Sequence, residues 1–128
     1  SWLYQVKKGA TTMWEQWDVI EENGQVKEAS MNHYAYGAVG DFFYRRICGL
    51  EPVEAGYRRF RVKPMPGGGL TNAQCSYICI YGTIRVAWRI EEGKMKLKIS
   101  VPVGTTCEVE LPNGKKEELV SGNYELHE

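Results

Sequence analysis

"KMKLKISVP", Lys94 to Pro102, decides how the second half of this chain folds. Lys94, Lys96 and Lys98 alternate with Met95, Leu97 and Ile99, so a period of two puts ammonium groups on one face and apolar side chains on the other. That is the pattern of a half-buried strand. Working outward, "RFRVKP" (59–64), "CSYICIYG" (75–82), "TIRVAWRI" (83–90), "CEVEL" (107–111) and "NYELH" (123–127) are short runs of the same character. "EEG" and "PNG" supply turns between them, the second with the Asn-Gly pair favoured in tight hairpins. About six or seven such strands predict an antiparallel β-sandwich running from about Tyr57 to Glu128.

Upstream of Leu50 the periodicity is helical. Ala35, Ala38, Val39, Phe42 and Ile47 fall near one i, i+3, i+4, i+7 face, which predicts a helix from about Asn32 to Cys48 with Gly49 as its stop. Gly37 and Gly40 inside it cost helix stability and suggest close approach of another backbone or a ligand. "SWLYQVKKG" at the start reads as the last turns of a helix, with Lys7 and Lys8 at its carbonyl end and Gly9 terminating it. A chain that opens in mid-helix reads as cut from a longer domain. The expectation is therefore an α+β chain, with a helical segment over residues 1–50 and a β-sandwich over residues 51–128.

Composition excludes several functional classes. Sixteen basic and sixteen acidic residues are spread along 128 positions for a formal charge of zero, so no field draws in nucleic acid or an anionic membrane. No apolar stretch approaches the ~20 residues of a membrane span, and the start lacks the charge-then-apolar order of a signal peptide. Cys48, Cys75, Cys79 and Cys107 are too few for a disulfide scaffold and read as free, mostly buried thiols. Cys75 and Cys79 lie four apart in a strand-like run, which separates their Cα atoms by about 13 Å, beyond disulfide reach. His33 and His127 are the only histidines and no C-x-x-C pair exists, so neither a metal site nor a cofactor is expected.

Two clusters bear chemistry. In "GATTMWEQW", Gly9 to Trp17, Glu15 sits between Trp14 and Trp17. Thr12-Met13-Trp14-Glu15 matches the S/T-x-x-E capping box, and pattern alone ranks that cap ahead of a catalytic carboxylate. Trp14 and Trp17, at i and i+3 of a helix, would form one aromatic surface suited to the C–H face of a sugar, or else pack in the core. In "MNHYAYG", Met31 to Gly37, Asn32, His33, Tyr34 and Tyr36 gather polar-tipped side chains at a helix entrance, where Asn32 would otherwise serve as a cap. Asp18 is the carboxylate close enough in sequence to share a site with Glu15. "RRFR" (58–61) reads as the polar edge of a strand rather than a nucleic-acid patch, and "PGGG" (66–69) as a turn lacking the Lys-Ser/Thr of a phosphate loop.

Three segments carry a resemblance: "SWLYQVKKGATTMWEQWD" (1–18), "SMNHYAYGAVGDFFYRRICGL" (30–50) and "GYRRFRVKPMPGGGLTNAQCSYICIYGTIRVAW" (56–88). In consistent order and over about two thirds of the chain, they resemble the C-terminal end of the bacterial α-L-rhamnosidases, inverting glycoside hydrolases. The resemblance implies that the first segment closes an (α/α)6 catalytic barrel and that the rest is the sandwich following it. It implies a rhamnoside substrate, Glu15 as the general base activating water, and His33 contacting rhamnose. Trp14 and Trp17 would lie near the sugar, Asn32 falls in the same motif as His33, and Asp18 is a weaker candidate.

Inversion requires a second carboxyl group, a general acid that this family supplies from far upstream. The expectation is therefore a polypeptide inactive alone, lacking the rest of its barrel as partner, and self-associating through helices without neighbours. The alternative is a carbohydrate-binding or purely structural sandwich, with Tyr57, Tyr77, Tyr81 or Trp88 as its aromatics and Trp88 read as core. Localisation stays open, with a cytoplasmic parent favoured over a periplasmic or secreted one.

Overall fold

The alternation at Lys94–Val101 becomes the centre of a sheet in the computed structural model, which describes residues 1–128. The chain divides into two units, Ser1–Asp41 and Phe42–Glu128.

The larger unit contains eight strands: β1 (Leu50–Pro52), β2 (Arg59–Val62), β3 (Asn72–Cys79), β4 (Gly82–Glu91), β5 (Lys94–Val101), β6 (Thr106–Glu110), β7 (Lys116–Leu119) and β8 (Gly122–His127). They form two four-stranded sheets, ordered β1-β2-β6-β7 and β3-β4-β5-β8. Met95, Leu97, Ile99 and Val101 all point inward from β5. There they meet Ile84, Val86 and Trp88 of β4 and, from the facing sheet, Phe60, Val62, Cys107, Val109 and Leu119 in one continuous apolar core. All four cysteines are free thiols, Cys48 and Cys107 buried and Cys75 and Cys79 half-buried. Tight hairpins join β3 to β4 and β4 to β5. Glu92 and Gly93 take positive φ, 52° and 77°, as a two-residue turn of the right hand for twisted strands requires.

The sheets are not wholly antiparallel. β2 pairs with β6 in parallel, Phe60 opposite Cys107 and Val62 opposite Val109. The whole β3-β4-β5 meander lies between these two strands in sequence, which is long enough for the crossover that a parallel pair needs. On the solvent side of this pair Glu108 accepts Arg59 Nε at 2.7 Å and Arg61 Nη2 at 3.0 Å. The "RRFR" arginines thus neutralise their neighbours rather than presenting a free basic patch.

A helical run precedes β1, and it differs from the expected single helix over 32–48. It begins at Tyr36, as a 3-10 turn (Tyr36–Ala38), continues through one α-turn (Val39–Phe42) and ends as a π-helix (Phe43–Ile47). Its N-cap is Ala35, without a side-chain hydrogen bond, so Asn32 is not the cap. Gly40 has open space where a Cβ would point and Gly37 meets only Met13 Cγ at 3.9 Å, so neither glycine serves a close backbone contact. Of the apolar stripe only Ile47 packs on the sandwich core, while Phe42 remains exposed, as does Phe43 next to it. The buried Trp88 donates its indole N–H to the Ile47 carbonyl at 2.8 Å, tying the end of this run to β4. Gly49 stops it: φ is +76°, and a Cβ there would fall 2.1 Å from the Lys63 carbonyl carbon.

In the smaller unit, α1 (Trp2–Lys7) ends as its sequence predicts. Gly9 N–H bonds the Val6 carbonyl at 3.0 Å and Ala10 N–H the Gln5 carbonyl at 3.0 Å, the paired bonds of a Schellman stop, with Gly9 at φ +77°. Residues 10–19, however, are not helical, which overturns the capping box at Thr12–Glu15. The backbone there makes its hydrogen bonds with residues 27–33 and with Gln5 instead. Secondary structure as a whole is mostly β, with short helices.

Candidate functional site

The cluster around Glu15 is assembled by α1 and by the crossing of two extended segments. From α1, Tyr4 donates its hydroxyl to the Ile20 carbonyl at 2.8 Å, and Lys8, the residue that caps it, donates its ammonium to the Glu21 carbonyl at 2.9 Å. These contacts anchor a small hairpin whose bridge pairs Ile20 with Val26. Its tip is shaped by Asn23 Oδ1, which accepts Gln25 N–H at 2.8 Å, and by Gly24 at φ +86°. The chain then returns antiparallel to its own path. Lys27 N–H bonds the Val19 carbonyl, Glu15 N–H the Ser30 carbonyl and His33 N–H the Met13 carbonyl, at 2.8, 2.9 and 2.7 Å. Thr12 Oγ1 donates to the Met31 carbonyl across the same seam.

Glu15 and His33, eighteen positions apart in sequence, are thereby carried on paired segments. The Glu15 side chain is exposed, and its Oε2 accepts the Ser30 backbone N–H at 2.8 Å. Its other oxygen receives no hydrogen bond from the protein. One oxygen is thus held and the other is available. His33 is half-buried, and its Nδ1 accepts the Ala35 N–H at 3.2 Å. A neutral imidazole whose Nδ1 accepts must carry its proton on Nε2, which makes the outer nitrogen a donor.

The other sequence candidates occupy distinct positions. Trp14 is 3% exposed and lies in the interior with Val19, so it offers no open ring face. Trp17 is half-buried in a three-ring group, stacked on Tyr36 at 3.6 Å between centroids and 4° between planes, with Trp2 edge-on at 5.0 Å. Asn32 is exposed, its backbone turned by reciprocal bonds with the Ser30 hydroxyl at 3.1 and 3.2 Å. Asp18 is engaged by Lys27 at 2.5 Å, and that hydrogen-bonded ammonium holds its carboxyl below the usual carboxylate range. No group of three His, Cys, Asp or Glu side chains is arranged to hold a metal ion.

Two contributors were not legible in the sequence. Ser30 acts through its backbone, which no side-chain pattern reveals. Gln5 is 3% exposed while Leu3 and Val6 of the same helix are exposed, the inverse of the amphipathic expectation.

Comparison with known proteins adds to this geometry. Residues 1–47 match the family described as the bacterial alpha-L-rhamnosidase 6 hairpin glycosidase domain, and residues 49–125 the bacterial alpha-L-rhamnosidase C-terminal domain. An alpha-L-rhamnosidase of Streptomyces avermitilis is 43% identical over 115 residues, 88% of this chain and 11% of the relative. One of Formosa agariphila is 39% identical over 126 residues, 96% of this chain and 14% of the relative. The chain thus spans only about a tenth to a seventh of these relatives' length. Among solved structures, native α-L-rhamnosidase from Aspergillus terreus superposes with a TM-score of 0.89 at 39% identity, covering 99% of this chain and 15% of that one. The Streptomyces avermitilis enzyme, complexed with L-rhamnose, superposes at 0.89 with 35% identity over 100% of this chain and 15% of that one.

Proposed function

The chain belongs to the bacterial α-L-rhamnosidase family, matching its C-terminal region, and from that membership we propose that it carries the general base of an inverting α-L-rhamnosidase, Glu15. The supporting observation is the hydrogen bond from Ser30 N–H to Glu15 Oε2 at 2.8 Å, which orients the carboxylate and leaves Oε1 free. In this reading Oε1 takes a proton from the water that attacks the anomeric carbon, while an acid on the opposite side protonates the departing oxygen. His33 donates from Nε2 to a rhamnose hydroxyl. The exposed Asn32 lies next to His33 in the same turn, the stacked Trp17 and Tyr36 rings offer an aromatic surface for the sugar, and Trp14, buried next to Glu15 in sequence, anchors the segment that carries it.

Inversion places the two carboxyl groups ~6.5–9.5 Å apart and needs one of them protonated. Asp18, the nearest carboxyl group in sequence, is bound to Lys27 and held in its ionised form, so it cannot act as the acid. The 128-residue polypeptide alone therefore releases no rhamnose, and the acid comes from elsewhere in the whole enzyme's barrel. Exposed Leu3, Val6, Tyr34, Phe42 and Phe43 supply apolar surface through which the isolated polypeptide self-associates, measurable as a concentration-dependent mass in sedimentation.

The sandwich is a support rather than a glycan reader in this reading. Trp88 is 2% exposed, and Tyr57 and Tyr77 meet at 35° rather than in a coplanar row. Replacing Glu15 by Gln in the whole enzyme tests the assignment. A fall in kcat of about 10²-fold or more supports a water-activating base, whereas a near-normal rate would leave Glu15 a structural residue.

A further inference from the structure

We propose that Gln5 is a positioning residue for the Glu15 carboxylate, and this inference rests on the reading of Glu15 as the base. Gln5 lies on α1, nine to eleven positions before the segment it serves, and its carboxamide is buried. Oε1 of that amide accepts the Trp14 backbone N–H at 3.3 Å, and Nε2 donates to the Gln16 carbonyl at 3.2 Å. One planar group therefore spans the two residues flanking Glu15. From the other side Ser30 does the same to Glu15 itself, accepting its N–H at 2.9 Å and donating to its Oε2 at 2.8 Å.

Between these two clamps the backbone from Trp14 to Gln16 has little freedom. This matters because the segment is neither helix nor strand, so no regular ladder fixes it. A carboxylate on such a loop is placed only as well as its supports are placed, and about 1 Å of misplacement can cost ~10²-fold in rate. Gln5 also closes the stop of its own helix, its carbonyl accepting Ala10 N–H at 3.0 Å. Its side chain and main chain thus fix both the exit of α1 and the loop that follows. Glutamine suits this position by length and by chemistry. It reaches the loop from the helix, and it offers one acceptor and one donor to a backbone donor and a backbone acceptor.

The test is a double-mutant cycle in the whole enzyme with an aryl α-L-rhamnoside. Gln5→Met keeps volume and helix propensity while deleting both hydrogen bonds. Its expected result is a kcat reduced about 10- to 100-fold, with KM within about twofold of wild type. In a Glu15→Gln background the same change should cost less than about threefold, because a residue that acts through Glu15 has nothing left to position. Gln5→Asn, one methylene short of its partners, provides the second variant if the methionine variant does not fold.

An unchanged kcat in a folded Gln5 variant would overturn the inference while leaving Glu15 as the base. So would an equal loss in both backgrounds, since that marks a general structural role. A near-normal rate for Glu15→Gln alone is the distinct outcome that removes the base reading itself, and this inference with it.

Discussion

Glu15 and Ser30 hold each other at two points: the Glu15 N–H donates to the Ser30 carbonyl at 2.9 Å, and the Glu15 carboxylate accepts the Ser30 N–H at 2.8 Å. The carboxylate is thus oriented by the main chain of a segment fifteen residues away. This contact takes the place of the capping box that Thr12–Glu15 suggests, and the Thr12 hydroxyl likewise reaches across the seam, to the Met31 carbonyl.

Because Ser30 supports Glu15 through its backbone, its side chain is nearly dispensable and its N–H is not. Ser30→Ala in the whole enzyme should change kcat by less than about threefold, losing only the small turn with Asn32. Ser30→Pro removes the donor, and kcat should fall by about tenfold or more. Steady-state kinetics on the two variants check the difference; equal effects would show that the Ser30 N–H does not support Glu15.

Gly49 should be far less tolerant than another left-handed glycine. At Gly49 a Cβ would lie 2.1 Å from the Lys63 carbonyl carbon and 2.3 Å from Pro64 N, whereas at Gly114 nothing lies within 4 Å. Both substitutions incur the left-handed penalty of about 1–2 kcal/mol. Gly49→Ala adds an overpacking cost of about 1–3 kcal/mol. Denaturant titration should therefore rank Gly49→Ala clearly below Gly114→Ala.

Much of the sandwich is visible in the chain because burial there follows the pleat. Met95, Leu97 and Ile99 announce β5, whereas the alternation of Trp88 with Arg89 fits either face and only the fold places Trp88 in the core, as read. β7 is hidden because "KEEL" is mostly charged, with Lys116 and Glu118 exposed, Glu117 half-buried and only Leu119 buried. The parallel pairing of β2 with β6 is set by contacts distant in sequence, such as Phe60 to Cys107, and no local pattern encodes it. The same holds at the site. Glu15 and His33 are conspicuous as residue types, but Gln5 and Ser30 are recognised only once the chain has crossed itself.

Trp88 contributes a hydrogen bond as well as bulk. Trp88→Phe should destabilise the fold by about 1–3 kcal/mol, because the Ile47 carbonyl loses the indole donor that it accepts at 2.8 Å. Chemical denaturation monitored by circular dichroism reads this directly.

Glu108 should make stability depend on acid. The Arg61 and Arg59 guanidinium groups hold its carboxyl below the usual carboxylate range. Its contribution is therefore fully present above the unfolded-chain pKa of about 4.3 and is lost as pH falls through the lower folded value. The gap in unfolding free energy between wild type and Glu108→Gln should be widest near neutrality and close towards about pH 2. A gap independent of pH would contradict the pairing.

The most direct measurement of the central claim is Glu15→Ala in the whole enzyme, assayed on an activated aryl α-L-rhamnoside with and without azide. Azide attacks the anomeric carbon without needing a base. If Glu15 is the base, the rate falls at least about 10²-fold below wild type, recovers as azide is added, and yields a rhamnosyl azide of inverted configuration. A near-normal rate without azide would contradict that role.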